Sequence, residues 1–266
     1  MFRLMALSAG ELPLVSIDDS PARSAQGDSN IPPFVYQTWS SNRLGRTHAR
    51  QMARFREINP ELSFSLYSDA KMDEYMKVYW GTHEIGHIFR KARYPQLAAD
   101  IFRYCLIYHL GGFYFDISKG VDVPICSLLQ QGSTGLITYE HRLSPAGDAR
   151  DPADEQPFRD NVVAQFGFGF AKGHPLLKMV IDKICESYPL FRGMKAQRPK
   201  DAILSFTGPD MFTGVVRDYL ARTKDVHLTQ AGVDFHGAAI WRMKGSYVRF
   251  LSTPPYKYAR DDAIVD

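Results

Sequence analysis

The sequence is poor in cysteine and has no long hydrophobic run. Three cysteines in 266 residues, widely separated along the chain, are too few for a disulfide framework or a zinc site. No uninterrupted apolar run reaches 18 residues, so we expect no transmembrane helix. Residues 1–7 form only a brief apolar start, which is too short for a secretion signal. These absences predict a cytoplasmic protein with at most peripheral contact at the inner face of a membrane.

An excess of charge of one sign is also missing. The formal net charge is only +3, and no run of five or more Lys or Arg occurs, which argues against nucleic acid as a partner. The sequence contains no G-x-S-x-G, no G-x-x-x-x-G-K and no G-x-G-x-x-G motif. Their absence argues against an α/β-hydrolase, a P-loop enzyme and a dinucleotide oxidoreductase.

The most informative stretch that is present is residues 95–118, a predicted helix followed by a short aromatic strand. Pro95 suits the first turn of a helix, where the missing N–H costs nothing, and apolar residues then recur at helical spacing. Gly111 and Gly112 can adopt the positive φ of a helix C-cap and release the chain into a strand that ends at Asp116. Because ligands of open α/β sheets gather beyond the carboxyl ends of strands, a site is expected at this carboxylate.

Strand and helix patterns alternate before this stretch. They predict strands over 34–39 and 63–67, a helix over 46–58, and further helices over 68–78 and 83–93. Such alternation predicts an α/β fold with a central, mostly parallel sheet flanked by helices.

The same patterns indicate one domain. We expect a flexible leader over 1–30, a single domain over 31–255 and a C-terminal tail over 256–266. Residues 141–160 are polar and contain three prolines, so they are predicted to form a long loop. Long loops of this kind often serve as lids or bind an acceptor, which is the role we expect here.

Two neighbouring motifs carry a family resemblance. Residues 99–104 (ADIFRY) and 107–118 (IYHLGGFYFDIS), followed by Pro124, resemble glycosyltransferase family 32, whose members share a sugar-binding region containing a DXD motif. That family includes bacterial capsular and lipopolysaccharide sugar transferases, fungal initiating mannosyltransferases and, more distantly, the clostridial glucosylating toxins. Further landmarks of the family follow in the expected order: 31–39 (IPPFVYQTW), 59–61 (NPE), 173–177 (GHPLL), 207–209 (TGP) and 245–247 (GSY).

The resemblance implies a GT-A-like domain that moves a hexose from a nucleotide diphosphate sugar, UDP- or GDP-linked, to a hydroxyl acceptor with retention of configuration. The implied acceptor is a glycan or lipid-linked glycan of a bacterial surface polysaccharide. No residue stands out as an enzymic nucleophile, so front-face departure of the leaving group is the expected mechanism. Two alternatives stay open: a protein-glycosylating, toxin-like transferase, and a catalytically silent protein that binds nucleotide sugars.

By the same resemblance, Asp100, Arg103 and Asp116 form the catalytic set. Asp100 and Arg103 match residues that bind the donor sugar and its diphosphate, and the planar guanidinium suits two oxygens at once. Their spacing of three is also that of a surface ion pair, which would contribute only about 0.3 to 0.5 kcal/mol.

Three aromatic residues are implied to complete the donor site. Trp39 matches an aromatic that stacks on the nucleotide base, although an ordinary core tryptophan has the same pattern. Tyr114 is implied to line the donor pocket, and Tyr247 stands where the family has a tryptophan that donates to the leaving phosphate.

The resemblance also implies a divalent metal, Mn²⁺ or Mg²⁺, held by Asp116, Ser118 and His236. Ser118 replaces the second acid of the DXD motif, and a neutral hydroxyl is a poorer ligand for such a metal than a carboxylate. Asp122 is the nearest substitute acid, although a solvated turn residue fits it as well. His236 fits a polar loop residue equally, so the sequence leaves metal dependence open.

Overall fold

The computed structural model describes residues 14–24, 29–140, 161–246 and 258–266. The helices in these ranges are α1 (Arg46–Glu57), α2 (Asp69–Trp80), α3 (Glu84–Lys91), α4 (Pro95–Leu110), α5 (Pro175–Phe191), α6 (Pro199–Phe206) and α7 (Pro209–Thr223). None of these described helices is long and apolar enough to cross a bilayer.

The strands of the described ranges are mostly short. They are β1 (Leu14–Ser16), β2 (Phe34–Thr38), β3 (Arg43–Gly45), β4 (Ser63–Tyr67), β5 (Gly112–Phe115), β6 (Gly120–Val121), β7 (Gly135–Glu140), β8 (Val162–Val163), β9 (Gly167–Phe170), β10 (Lys195–Ala196), β11 (Leu228–Val233), β12 (Ala239–Ile240) and β13 (Asp262–Ala263). The predicted helices and strands before Asp116 are therefore confirmed, with ends that differ by a few residues.

The central sheet has the strand order β11-β7-β9-β5-β2-β4, and β8 pairs with β7. Strand β2 runs parallel to both β4 and β5, and β7 runs parallel to β11, whereas β9 is antiparallel to its two neighbours. Apolar side chains pack on both faces of this sheet, in two separate core clusters. The predicted mostly parallel α/β architecture is confirmed.

The junction between α4 and β5 depends on its two glycines. Gly111 has φ 72° and Gly112 has φ 106°, a region of backbone space that side chains rarely adopt. A Cβ atom on Gly111 would also lie 2.7 Å from the backbone nitrogen of Lys172, and one on Gly112 would lie 2.7 Å from the carbonyl oxygen of Phe34. The glycine pair therefore allows the buried helix to turn directly into the strand that carries Asp116.

Part of the predicted leader contacts the sheet. The backbone of Ser20 exchanges two hydrogen bonds with Phe64 of β4, and the Asp19 carboxylate accepts from the Leu66 amide at 2.9 Å. Unpaired amides at a sheet edge need partners, and this segment supplies them. Within the predicted leader, residues 14–16 form β1, which pairs with β3, and residues 19–20 lie along β4. The predicted loop over 141–160 lies outside the described residues.

Candidate active site

Asp116 directly follows β5, at the edge of the sheet where the carboxyl ends of the parallel strands meet. Its amide donates to the Phe166 carbonyl at 2.8 Å, and its carbonyl accepts from the Lys119 amide at 2.8 Å, which forms a tight turn. About a third of its side chain, 35%, is exposed. The predicted carboxylate therefore faces solvent on a fixed backbone.

Arg103 lies behind this carboxylate and is almost completely buried, with 8% of its side chain exposed. Its guanidinium forms an ion pair with Asp100 at 3.0 Å and with Asp116 at 3.3 Å, and it donates to the Gln165 carbonyl at 3.0 Å. The same group lies over the ring of Tyr114, 4.5 Å from its centroid. One planar guanidinium thus joins the two predicted acids.

The burial of Asp100 and Arg103 excludes the interpretation of a surface ion pair. The spacing of the two residues in the sequence is that of a surface pair, but each is only 6% exposed. Their side chains contact Thr207, the Gln165 carbonyl and Tyr114. A buried ion pair gains little stability, since both charges lose their hydration, and such pairs beside an exposed carboxylate are typical of functional sites.

Tyr114 orients the exposed carboxylate from within the core. Its hydroxyl donates to Asp116 Oδ1 at 3.2 Å and forms a second hydrogen bond with Thr38 Oγ1 at 2.9 Å. The tyrosine is fully buried, and burial raises the pKa of its hydroxyl. The predicted donor-binding tyrosine therefore holds Asp116 in position and stays neutral while doing so.

Asp100 is held by groups that come from a distant part of the chain. Thr207 Oγ1 donates to its carboxylate at 3.0 Å, and the Gln165 amide donates to the Thr207 carbonyl at 2.9 Å and to Tyr104 Oη at 2.7 Å. Burial raises the pKa of Asp100 to about 7, although Arg103 and Thr207 act in the opposite direction. The T-G-P landmark pointed to Thr207, but no sequence signal pointed to Gln165.

Replacing Thr207 by valine is expected to lower the free energy of unfolding by about 1 to 3 kcal/mol, because the buried Asp100 carboxylate would lose its hydroxyl donor. Urea unfolding of the variant measures this change. Thr223→Val is the matched control, since Thr223 is exposed and its hydroxyl donates to the Tyr219 carbonyl of its own helix. Equal losses in both variants would contradict a special contact with Asp100.

The Asp100→Asn variant is expected to change how stability depends on pH. The folded-state pKa of Asp100, about 7, lies above the ordinary value of 3.8. The stability that Asp100 contributes is therefore fully present below about pH 4 and is lost as the pH rises through about 7, amounting to a few kcal/mol at most. Chemical unfolding of both proteins from about pH 4.5 to about pH 8 tests this. Parallel pH profiles would show that Asp100 does not titrate in this range.

The remaining predicted residues occupy less central places. Trp39 immediately follows β2 and is half-buried against the core cluster that contains Phe115, which leaves both alternatives of the sequence analysis open. His236 is exposed in the turn after β11 with φ 56°, close to Gly232. Tyr247 lies outside the described residues.

The side chains near Asp116 do not fit a divalent metal well. Ser118 is only 7% exposed, and its carbonyl accepts from the Met243 amide at 2.7 Å. Asp116 Oδ1 is already engaged by Arg103 and Tyr114. Within the described part of the chain, no group of three or more His, Cys, Asp or Glu side chains is arranged to hold a metal ion. Hard divalent cations need several oxygen ligands at once.

A second group of side chains, absent from the sequence analysis, flanks Asp116 on the side of β9 and β7. The Lys119 amine lies over two rings, 4.6 Å from the centroid of Trp241 and 5.2 Å from that of Phe166. Glu140, at the carboxyl end of β7, is partly buried, and this burial raises its pKa to about 7, while Lys119 opposes the shift. Tertiary contacts alone bring these residues together.

The fold is a GT-A-like α/β domain, and in it a buried Asp–Arg pair lies behind a strand-end aspartate. Residues 37–134 match the family described as the glycosyltransferase sugar-binding region containing a DXD motif. The family resemblance found in the sequence is thereby confirmed.

The relatives with assigned activities are fungal mannosyltransferases. Inositol phosphoceramide mannosyltransferase 3 of Schizosaccharomyces pombe is 27% identical over 153 residues, which are 57% of this chain and 36% of that protein. The initiation-specific alpha-1,6-mannosyltransferase of Candida albicans is 26% identical over 210 residues, 71% of this chain and 53% of that protein. The chain thus spans about a third to a half of the length of these relatives.

A solved structure shares the fold. The PaToxG glycosyltransferase superimposes with a TM-score of 0.51 at 14% sequence identity, over 72% of this chain and 70% of that chain. At this identity the similarity concerns the fold alone.

Proposed function

We propose that this protein transfers a hexose from a nucleoside diphosphate sugar to a hydroxyl group of an acceptor glycan, with retention of configuration. The observation that carries the proposal is the Arg103 guanidinium, held between Asp100 and Asp116 at the carboxyl end of β5. A sugar nucleotide needs hydrogen-bond acceptors for its sugar hydroxyls and a positive charge near its diphosphate. The two carboxylates and the guanidinium supply these groups. The names of the fungal relatives make mannose the first hexose to test.

The donor would lie along the row of strand ends. Beyond the ends of β2 and β4, a cavity of about 480 Å³ is lined in part by Ser41, Asn42 and Ser68, and its lining includes Ser40, the residue that follows Trp39. Polar side chains of this kind suit a nucleoside, because they bind ribose or base edges while an aromatic ring supplies affinity by stacking. The diphosphate and hexose would then reach Asp116, two strands further along the sheet.

In this arrangement each side chain has a distinct task. The exposed oxygen of Asp116 accepts a hydrogen bond from a hydroxyl of the donor sugar. Tyr114 and Arg103 keep that carboxylate in one orientation. Arg103 places a permanent positive charge at the point where the leaving diphosphate gains negative charge. No described residue is placed as a covalent nucleophile, so we assign deprotonation of the acceptor to the leaving phosphate on the same face of the sugar.

The family resemblance implies Mn²⁺ or Mg²⁺, which would stabilise the leaving diphosphate as a Lewis acid. The described donor atoms fit such an ion poorly, and the tasks of Asp116, Tyr114 and Arg103 do not depend on it. We further propose a lipid-linked or free surface glycan as the acceptor, and a cytoplasmic location with peripheral contact at the inner face of the membrane.

A thermal-shift screen with UDP- and GDP-linked hexoses, followed by assays of donor hydrolysis, tests the proposal. Binding to the folded state raises the apparent melting temperature, so at least one donor should stabilise the protein and be consumed. Stabilisation without hydrolysis or transfer would favour the alternative of a catalytically silent binding protein. The replacement of the second acid by Ser118 is the observation that supports this alternative. No stabilisation by any nucleotide sugar would overturn the proposal.

A further inference from the structure

Helix α1 and the short strand before it carry a row of positive charges. Residues 29–56 contain five arginines and no acidic residue, whereas the whole chain has a net charge of only +3. Arg46, Arg50 and Arg54 recur at intervals of four, so their side chains lie on one face of the helix. All three are exposed, as is Arg43 of β3 just before the helix. We call these four side chains the arginine row.

The opposite face of α1 is fixed against the core of the domain. Its buried residues include His48 and Phe55, and His48 Nε2 donates to the Ile117 carbonyl at 2.7 Å. Ile117 is the residue between Asp116 and Ser118, so the start of α1 lies next to the turn that carries the exposed carboxylate. The arginine row therefore begins beside the candidate active site and faces solvent.

A second segment adds cations and an aromatic ring at the same end of α1. A Cβ atom on Gly245 would lie 2.9 Å from Thr47 Cβ, so this glycine packs against the first turn of the helix. Just before it, Arg242 and Lys244 are exposed, and Trp241 is 40% exposed. Exposed aromatic rings beside cations are typical of surfaces that lie in the interface of a bilayer.

The arginine row is unfavourable for the folded chain on its own. Like charges four residues apart on a helix repel each other, and Arg46 lies at the positive end of the helix dipole. No acidic residue occupies the first turn of α1, and within the described ranges none of the four arginines forms an ion pair. Charges that repel one another and are not balanced within the fold indicate an anionic partner outside it.

We propose that the arginine row docks the protein on an anionic bilayer, with α1 parallel to the membrane plane. Guanidinium groups bind phosphates through two oxygens at once, and a straight row about 12 Å long can contact several lipid headgroups on a flat surface. The modest net charge of the chain favours a membrane over a nucleic acid. The inference rests on the proposed function in one respect, because it brings the turn of Asp116 to the surface where a lipid-linked acceptor would be presented.

Flotation with vesicles of phosphatidylcholine, with and without phosphatidylglycerol, tests the docking independently of turnover. The wild-type protein should bind only the anionic vesicles, and this binding should weaken as the salt concentration rises. The triple variant Arg46→Gln, Arg50→Gln, Arg54→Gln should bind them roughly 100-fold more weakly, because each arginine near such a surface contributes about fivefold to the binding constant. Thermal unfolding establishes that the variant is folded, and its melting temperature should not fall, since the substitutions remove repulsion.

The combination of Lys77→Gln, Lys183→Gln and Arg222→Gln is the matched control, because it removes the same charge from exposed positions of α2, α5 and α7. This control should bind the anionic vesicles nearly as the wild type does. Equal losses in both triple variants, or no binding of the wild type to anionic vesicles, would overturn the docking proposal and leave the transferase proposal standing. Tighter binding to duplex DNA than to the vesicles would also overturn it, and would assign the arginine row to a nucleic acid.

Stabilisation by a nucleotide sugar separates the docking surface from the donor site. The variant with three substitutions in the arginine row should keep the stabilisation that the wild type shows in the thermal-shift screen. Loss of that stabilisation in the folded variant would assign the arginine row to the donor and overturn its role in docking. If no nucleotide sugar stabilises the wild type while anionic vesicles still bind it, the transferase proposal fails and the docking surface stands.

Discussion

The Asp116→Asn variant is expected to lose sugar transfer and donor hydrolysis by roughly 100-fold or more, with little loss of stability. Asparagine keeps the shape of the side chain but removes the one exposed negative charge that Arg103 and Tyr114 orient. It also places an amide group where a hydroxyl of the donor is expected to donate. Steady-state assays of donor hydrolysis and transfer, with the best donor of the thermal-shift screen, measure the effect.

Asp122→Asn is the matched control for this substitution. Asp122 is exposed, lies six residues further along the same connection and was the nearest substitute for the missing acid. We expect this variant to retain activity, since among the described residues Arg103 and Tyr114 contact Asp116 and not Asp122. Full activity of Asp116→Asn would refute the assignment of the site, and a comparable loss in Asp122→Asn would move the second acid to that position.

Removing the charge of Arg103 is expected to have the largest effect on stability. Arg103→Met would leave the buried Asp100 carboxylate without its ion-pair partner, which costs about 3 to 5 kcal/mol. The loss should be smaller at about pH 5 than at about pH 8, because the pKa of Asp100 is about 7 and its protonated carboxyl leaves no charge unpaired. Urea unfolding at the two pH values, together with nucleotide binding, measures both consequences.

Two further variants separate charge from geometry at this position. Arg103→Lys keeps the charge, but a single ammonium cannot contact Asp100, Asp116 and the Gln165 carbonyl in the way the guanidinium does. We expect it to be more stable than Arg103→Met and still impaired in donor binding. Arg93→Met removes a half-exposed partner of Asp262 and should cost less than about 1 kcal/mol. Equal losses at positions 93 and 103 would show that burial of the pair is unimportant.

The secondary structure of the first half of the domain could be predicted because its signals are local. Pro95 stands in the first turn of α4, and the Ser68 hydroxyl accepts from the Lys71 amide at the start of α2, as capping rules anticipate. The turn that ends α4 requires two positive φ angles, and its two glycines adopt them readily. Each of these features depends on a few neighbouring residues, so the sequence contains all the information needed.

The side chains around the predicted acids could not be anticipated in the same way. Gln165 reaches Arg103 through its backbone carbonyl, and backbone groups leave no mark in a sequence. The Asp100–Arg103 pair has the spacing of an ordinary surface pair, and only packing by neighbouring helices and strands buries it. The Lys119 amine lies over the ring of Trp241, which follows it by more than a hundred residues, so the sequence does not show this contact.

By itself, the sequence determined the α/β class and the resemblance to one family, and it named a candidate acid, guanidinium and tyrosine for the site, because short motifs carry these signals. The tertiary structure decided which of these side chains are enclosed and which meet solvent, and which cation lies beside the exposed carboxylate. The physical reason is that burial, and with it the strength of every charge interaction, depends on chain segments far apart in sequence that meet only when the sheet and its helices assemble.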